Sequence, residues 1–497
     1  MPVHMPEADA AVLSRRGEIV RALRAIVPGE GVIDAAAEMR PYESDGLTAY
    51  AQLPMVVVLP ETTEQVSRVL ALCDREGVKV VPRGAGTSLS GGALPLADGV
   101  LLGMAKFNRI LEIDFDNRVA VVQPGVTNLG ISQAVEHAQF YYAPDPSSQI
   151  ACTIGGNVAE NSGGVHCLKY GVTTNNVLGL EMVLITGEVI RLGGKHLDAD
   201  GYDLLGLMTG SEGLLGVVTE ITVRILKKPE TARAVLIGFA SSEEGGNCVA
   251  KIIGAGIIPG GMEMMDRPAI HATEEFVRAG YPLDVEALLI VELDGPQEEV
   301  DHLLARVAAI AKSCGAITLK VSTSEEERLV FWAGRKAAFP AVGRISPDYY
   351  CMDGTIPRAK LPQVLAAMRE MSAAYGLRCA NVFHAGDGNL HPLILYDANQ
   401  PGELERAEAF GADILKLCVA VGGVLTGEHG VGVEKRDLMP AMFSEVDLAQ
   451  QQRVKCAFDE KGLLNPGKVF PTLHRCAELG RMHVRRGQLP FPDLPRF

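Results

Sequence analysis

Apolar side chains at Val66, Val69, Leu70 and Cys73 repeat with helical spacing, which predicts a helix with one buried face. Thr62 stands at the N-cap position, Gln65 three residues on completes a capping box, and Gly77 ends the repeat. The apolar runs at 56–59 and 78–81 on either side read as strands. A leading helix is expected over residues 10–26. Residues 109–122 read as a hairpin turning near Asp116-Asn117. Thr127 reads as the N-cap of a helix carrying Leu129, Ile131, Ala134 and Val135. A second hairpin, 180–185 with 189–192, flanks Thr186-Gly187-Glu188. A last strand at 220–226 precedes Lys227-Lys228-Pro229-Glu230, a charged, proline-bearing segment that reads as a domain boundary.

Beyond that boundary strands and helices alternate differently. Strands are expected at 288–293, 316–321 and 349–356. Helices are expected at 297–312, from Ser324 through Trp332 and Arg335, at 362–375 and at 403–421. Strands lie on both sides of Asp387-Gly388-Asn389, and a final helix near 448–458 precedes Asn465-Pro466-Gly467-Lys468. This predicts an α+β domain with an antiparallel sheet.

A chain of 497 residues exceeds one core, so two or more domains are expected. Its 47% hydrophobic content is ample for them, and a net charge of −15 argues against nucleic acid as a partner. No apolar run reaches the roughly 18 residues needed to span a bilayer, and residues 1–20 lack the apolar stretch of a signal peptide. The ten cysteines show no C-x-x-C pair. They read as reduced thiols of a cytosolic protein and argue against an iron–sulfur cluster in this chain.

The chemistry begins at Arg83-Gly84-Ala85-Gly86-Thr87-Ser88-Leu89-Ser90-Gly91-Gly92, directly after the strand at 78–81. These ten residues hold four glycines and three hydroxyl side chains. Glycine lets backbone N–H groups turn inward and cradle an anion such as a phosphate. No lysine makes this a P-loop, and Leu89 breaks the dinucleotide fingerprint that would start at Gly84. An ordinary glycine-rich turn is the plainer reading. A second stretch, Pro144-Asp145-Pro146-Ser147-Ser148 leading to Thr153-Ile154-Gly155-Gly156-Asn157 and Asn161-Ser162-Gly163-Gly164, decides for the cradle. A third follows at Gly210-Ser211-Glu212-Gly213. Three such loops within residues 81–220 are more than turns require.

In order and spacing these loops resemble the FAD-binding domain of the vanillyl-alcohol oxidase / PCMH superfamily. The resemblance implies FAD held by Pro82, Arg83, Gly84, Gly86, Thr87, Ser88 and Gly91 in the first loop. Pro146, Ser147, Thr153, Gly155, Gly156, Asn161, Ser162, Gly163 and Gly164 serve in the second, and Glu212, Gly213, Val218 and Asn465 complete the set. The first loop has no histidine, so the FAD is expected to be non-covalent.

Two further stretches carry reactive groups. In His384-Ala385-Gly386-Asp387-Gly388-Asn389-Leu390-His391, a tight turn can fold a strand back and bring both imidazoles to one point, as a metal site needs. Two satisfied structural histidines are the plainer reading of the pair alone. In Gly427-Glu428-His429-Gly430, small neighbours suit a close-packed reactive site. Two histidines and a carboxylate would leave a metal position open, and His429 could then act as base.

With Trp332-Ala333-Gly334-Arg335, residues 343–355 and the Asn465-Pro466-Gly467-Lys468 ending, these motifs resemble the FAD-linked D-2-hydroxy-acid dehydrogenases. The expected architecture is α+β: a helical lead-in over 1–50, a two-part PCMH-type FAD-binding domain over 51–229, a substrate-binding cap over 230–472 and a tail over 473–497. The resemblance implies a divalent metal (zinc, manganese or iron) on His384, His391 and Glu428, His429 as base, and Arg335 gripping the substrate carboxylate. A lysine that relatives acting on 2-hydroxyglutarate carry near the position of Cys351 is absent, which favours a small monocarboxylate. Glycolate, oxidised to glyoxylate, is the expected substrate and D-lactate the alternative. A non-catalytic flavin-bearing assembly subunit is the rival from another class. The resemblance also implies an iron–sulfur subunit and a second flavin-domain subunit as electron acceptors, at the cytoplasmic face of the membrane. The tail from His474, with five arginines, could dock a partner or be a solvated terminus.

Overall fold

The computed structural model describes residues 5–197 and 201–471. The expected tail at 473–497 lies outside the described residues. The first half builds two larger sheets, beside a two-stranded pair of Phe140–Tyr141 with Leu226–Lys227. In the smaller, strands Val32–Ile33, Val56–Val58, Gly99–Gly103 and Lys79–Arg83 lie in that order, the last three mutually parallel. Such parallel strands are buried on both faces and read as continuous apolar runs, as Val56, Val57 and Val58 do, each without exposed surface. The helix Thr63–Glu76 covers them. The Thr62 hydroxyl accepts from Gln65 N at 3.2 Å, while the Gln65 side chain reaches Glu61 N at 2.7 Å, and Gly77 closes the helix in the left-handed region. The second sheet is antiparallel, in the order Ile110–Asp114, Val119–Val122, Val217–Arg224, Val177–Val183 and Val189–Gly193. The leading helix expected over 10–26 is broken at Arg15 into Ala10–Ser14 and Arg16–Ile26. Arg15 leaves helical geometry and holds Glu76 of the covering helix at 2.8 Å.

The second half forms one seven-stranded antiparallel sheet. Its order is Thr318–Val321, Thr231–Phe239, Ala287–Gly295, Gly261–Asp266, Cys379–Phe383, Pro392–Tyr396 and Asp348–Cys351. Helices including Ser242–Gly254, Leu361–Tyr375 and Glu403–Ala420 pack against it around one large apolar core. The chain then returns to the first half. Val80 N donates to Leu463 O at 2.8 Å and Asn465 N to Val80 O at 2.7 Å, and Leu463 and Leu464 join the first core.

A polar seam fastens the two halves. His166 places Nδ1 3.0 Å from Asp145 of the first half and Nε2 3.1 Å from Glu292 of the second. Glu292 also accepts from Arg328 and from the indole of Trp332. Burial alone would lower the His166 imidazole; the two carboxylates outweigh it and push it up to about 10. A pKa raised above the ordinary value of about 6.5 stabilises the fold fully below that value, and the contribution is lost as pH rises through about 10. His166→Gln should therefore lower stability by about 2 kcal/mol near pH 6, and the gap to wild type should close toward pH 10. Denaturant midpoints across that range check both parts.

No helix among the described residues is long and apolar enough to cross a membrane. Among the described residues eight cysteines are free thiols, but Cys456 is disulfide-bonded, so the expectation of uniformly reduced thiols fails there.

Candidate active site

The three glycine-rich loops converge on a single cavity of about 510 Å³ between the halves. Pro82, Arg83, Gly84, Gly86, Thr87 and Ser88 line it from the first loop, and Pro146, Ser147, Thr153, Gly155, Gly156 and Ser162 from the second. Glu212, Gly213 and Val218 line it from the third. At Gly84 an added Cβ would lie 2.7 Å from Thr153 Oγ1. Only a glycine keeps the first two loops this close while leaving the space between them open, which is the form a pyrophosphate cradle requires.

Five expected contacts are not among the lining residues. Asn161 caps the short helix Ile154–Glu160 in the left-handed region and accepts from Thr174 N. Gly164 crowds the Asp145 backbone, and Gly91 crowds Val433. Gly163 N donates to Glu428 at 2.9 Å. The buried Asn465 donates to Gly92 O and Glu212 O, tying the returning chain to the first and third loops. These residues shape the cradle from behind.

At the far end of the same cavity stand His384, His391, Glu428 and His429. The turn between the histidines works as anticipated. His384 N donates to Asn389 O at 3.0 Å, and the strand folds back so that the two rings meet at 5.0 Å. Glu428 Oε1 lies 3.0 Å from His384 Nε2 and 3.3 Å from His391 Nε2. The three donor atoms fall within 4.8 Å of one another. His384 Nδ1 lies 2.8 Å from Glu263, leaving Nε2 aimed at the cluster, the usual arrangement for a metal-ligating imidazole. His391 Nε2 is buried with no hydrogen-bond partner. This donor set suits a divalent ion. Burial alone would raise the Glu428 carboxyl; the surrounding imidazoles, His384 foremost, outweigh it and hold it at about 2. His429 stacks on His391 at 4.8 Å with the rings 7° from parallel. Burial pushes its imidazole down to about 4 against the pull of Asp353. It is therefore neutral at neutral pH and able to accept a proton.

Two site residues, Asp353 and Glu263, were not singled out in the sequence, and the expected Glu212 has a second role. Asp353 lies at the base of the 426–429 loop. It accepts from the Thr426 hydroxyl at 2.5 Å and from the backbone N–H groups of Gly427 at 3.0 Å, Glu428 at 3.2 Å and His429 at 2.8 Å. Glu212 grips the next turn, accepting from Val431 N and Gly432 N at 2.7 Å each. Loop three thus fixes the cap as well as lining the cavity. Glu263 bridges His384 to Arg335, whose Nε donates to it at 2.8 Å. Arg335 is fully buried behind this carboxylate and does not line the cavity; its Nη1 has no acceptor. Cys351 is also buried away from the cavity. A lone glutamate in the apolar run Met262-Glu263-Met264-Met265 is the sequence signal that could have revealed Glu263.

Residues 54–193 match the FAD binding domain family, and residues 228–469 match the family of FAD linked oxidases, C-terminal domain. The chain is 58% identical to the glycolate oxidase subunit GlcD of Escherichia coli K12 over 493 residues, covering 99% of this chain and 98% of that one. It is 34% identical to a D-lactate dehydrogenase of Archaeoglobus fulgidus, covering 84% and 92%. The fold is shared with 4-ethylphenol oxidase from Gulosibacter chungangensis at a TM-score of 0.79 and 18% identity, covering 95% of this chain and 100% of that one. It is likewise shared with p-cresol methylhydroxylase at 0.77 and 17% identity, covering 93% and 97%. Two families that tile the two halves, and relatives similar along nearly the whole length, place this chain among the FAD-linked 2-hydroxy-acid oxidoreductases.

Proposed function

We propose that this chain oxidises a small D-2-hydroxy acid, glycolate to glyoxylate first among them. The observation that carries this reading is the shared cavity: the cradle for FAD and the cluster His384, His391, Glu428 and His429 face one space. FAD held in the cradle would supply the acceptor for the hydride on C2 of the acid. A divalent ion (zinc, manganese or iron) on His384, His391 and Glu428 would polarise the 2-hydroxyl. His429, neutral and adjoining that cluster, accepts the hydroxyl proton. Arg335, which does not line the cavity, would reach the substrate carboxylate by turning Nη1, its buried donor without an acceptor, past Glu263. Glu263 sets the positions of both Arg335 and His384. Asp353 keeps the Glu428-His429 backbone in one conformation, so the base and the carboxylate ligand move together.

The similarity to a protein named as a subunit of glycolate oxidase supports partner subunits for this chain. We infer an iron–sulfur subunit and a second flavin-domain subunit as electron acceptors at the cytoplasmic face of the membrane. D-lactate is the second reading, favoured by the relative of that activity. Steady-state turnover with a dye acceptor should give a higher kcat/KM for glycolate than for D-lactate, and no turnover of L-lactate. Purified protein should carry about one divalent ion per chain. A reversed order between glycolate and D-lactate would move the substrate to D-lactate, and turnover of L-lactate alone would contradict the handedness.

A further inference from the structure

We propose that Glu160 meets bound FAD as a neutral carboxylic acid and donates a hydrogen bond to it, a role that rests on the cofactor reading above. Glu160 is the last residue of the helix Ile154–Glu160 in the second loop, and it lines the cavity. Its carboxyl group sits where the cradle meets the cap. A Cβ added to Gly92, at the end of the first loop, would lie 2.9 Å from Oε1, and one added to Gly430, next to His429, would lie 2.0 Å from Oε2. Gly430 holds a φ of +83°, and glycine alone lets the carboxyl come this close to the loop that carries the histidine. The Ser88 hydroxyl bonds to the carboxyl. Oε2 is buried without a hydrogen-bond partner.

The surroundings select the neutral form. The Glu212 carboxyl carbon lies 3.0 Å from the same Cβ position at Gly430, so the two carboxyl groups are neighbours. Two anions held this close repel, and one of the pair keeps its proton. Glu212 accepts from Val431 N and Gly432 N at 2.7 Å each, bonds that favour its ionised form. Glu160 has no such backbone donors. It also stands at a helix C-terminus, where the free carbonyl groups disfavour an anion. The groups that face it are Glu212, Asp45, Lys435 and the Ser88 hydroxyl. Lys435 is the one cation among these, and it donates to Gly430 O at 3.0 Å and to Glu434 at 2.7 Å. Burial, Glu212 and Asp45 push the Glu160 carboxyl well above the ordinary carboxylate range against the pull of Lys435. A neutral acid also suits the ligand. The cavity takes a negatively charged pyrophosphate and already presents Glu212 and Glu428, and a third carboxylate would add repulsion where an O–H adds a donor.

The test strips FAD from the purified full-length protein and titrates it back by flavin fluorescence, for wild type and the E160A and E160Q variants, from pH 5 to pH 10. At pH 6 the FAD Kd of E160A should be about 3–10-fold higher than that of wild type, the worth of one neutral hydrogen bond. E160Q, whose amide also donates, should recover most of the affinity. Wild-type affinity should fall as the pH rises, because the carboxyl supplies its donor only until it ionises, and the E160Q profile should lack that fall. Asp45, Glu212 and Lys435 remain in E160Q, so their titration is common to both profiles. An E160A Kd equal to that of wild type would overturn the contact, whether or not the FAD-free variant melts earlier. Parallel pH profiles for wild type and E160Q would overturn the neutral form. Wild-type protein that binds no FAD would overturn the cofactor reading and this proposal together; wild-type binding with an unchanged E160A would overturn this proposal alone.

Discussion

Replacing His429 with Asn should slow reduction of the bound flavin by a 2-hydroxy acid about 10²–10⁴-fold, the usual contribution of a positioned base. The purified variant should remain yellow. His429 stands at the cap end of the cavity, and its Nδ1 is buried without a partner. Burial holds the imidazole at about 4, so it enters the reaction without a proton. The ring is held by stacking on His391 and by its own backbone N–H on Asp353; neither hold uses the ring nitrogens. Asn keeps the backbone contact and loses the basic nitrogen. Rapid mixing without oxygen reads the rate of bleaching directly. A rate within threefold of wild type would remove His429 as the base.

Asp353→Ala should cost about 3–5 kcal/mol of stability, the range for breaking a buried charged cluster. The carboxylate has no exposed surface and collects three backbone N–H groups and one hydroxyl. Lys435 Nζ, equally buried, lies 4.0 Å away. Burial alone would raise the Asp353 carboxyl; His429, His391 and Lys435 outweigh it and hold it well below the usual range. Alanine leaves those donors unpaired in a site closed to water, and the loop carrying Glu428 and His429 loses its reference point. The urea midpoint should fall at constant slope, and bound divalent metal should fall with it. An unchanged midpoint would show that the loop is held by other contacts.

The parts of this molecule that were legible in the sequence depend on local chemistry. Thr62, Thr127 and Ser324 each cap the helix their neighbours predicted, because a hydroxyl three residues ahead of an N–H is a local arrangement. The hairpin closing near Asp116-Asn117 and the fold-back between His384 and His391 are local in the same sense. Residues 231–287 were not assigned. The strand Thr231–Phe239 is buried without a break over its last six residues, so it lacks the alternation that marks a half-exposed strand. The helix Ser242–Gly254 carries Gly245 and Gly246, which weaken its helical signal but let Met264 and Pro362 approach. The roles of Asp353 and Glu263 arise from contacts 76 and 121 residues away along the chain, and no pattern around either residue encodes those partners.

The most direct test of the account is the flavin absorbance of the purified protein under anaerobic conditions, before and after glycolate, D-lactate and L-lactate are added in turn. The expected result is a yellow protein bleached by glycolate and by D-lactate and untouched by L-lactate. A yellow protein that no 2-hydroxy acid bleaches would contradict it, leaving a flavin-bearing fold whose histidine cluster serves another reaction.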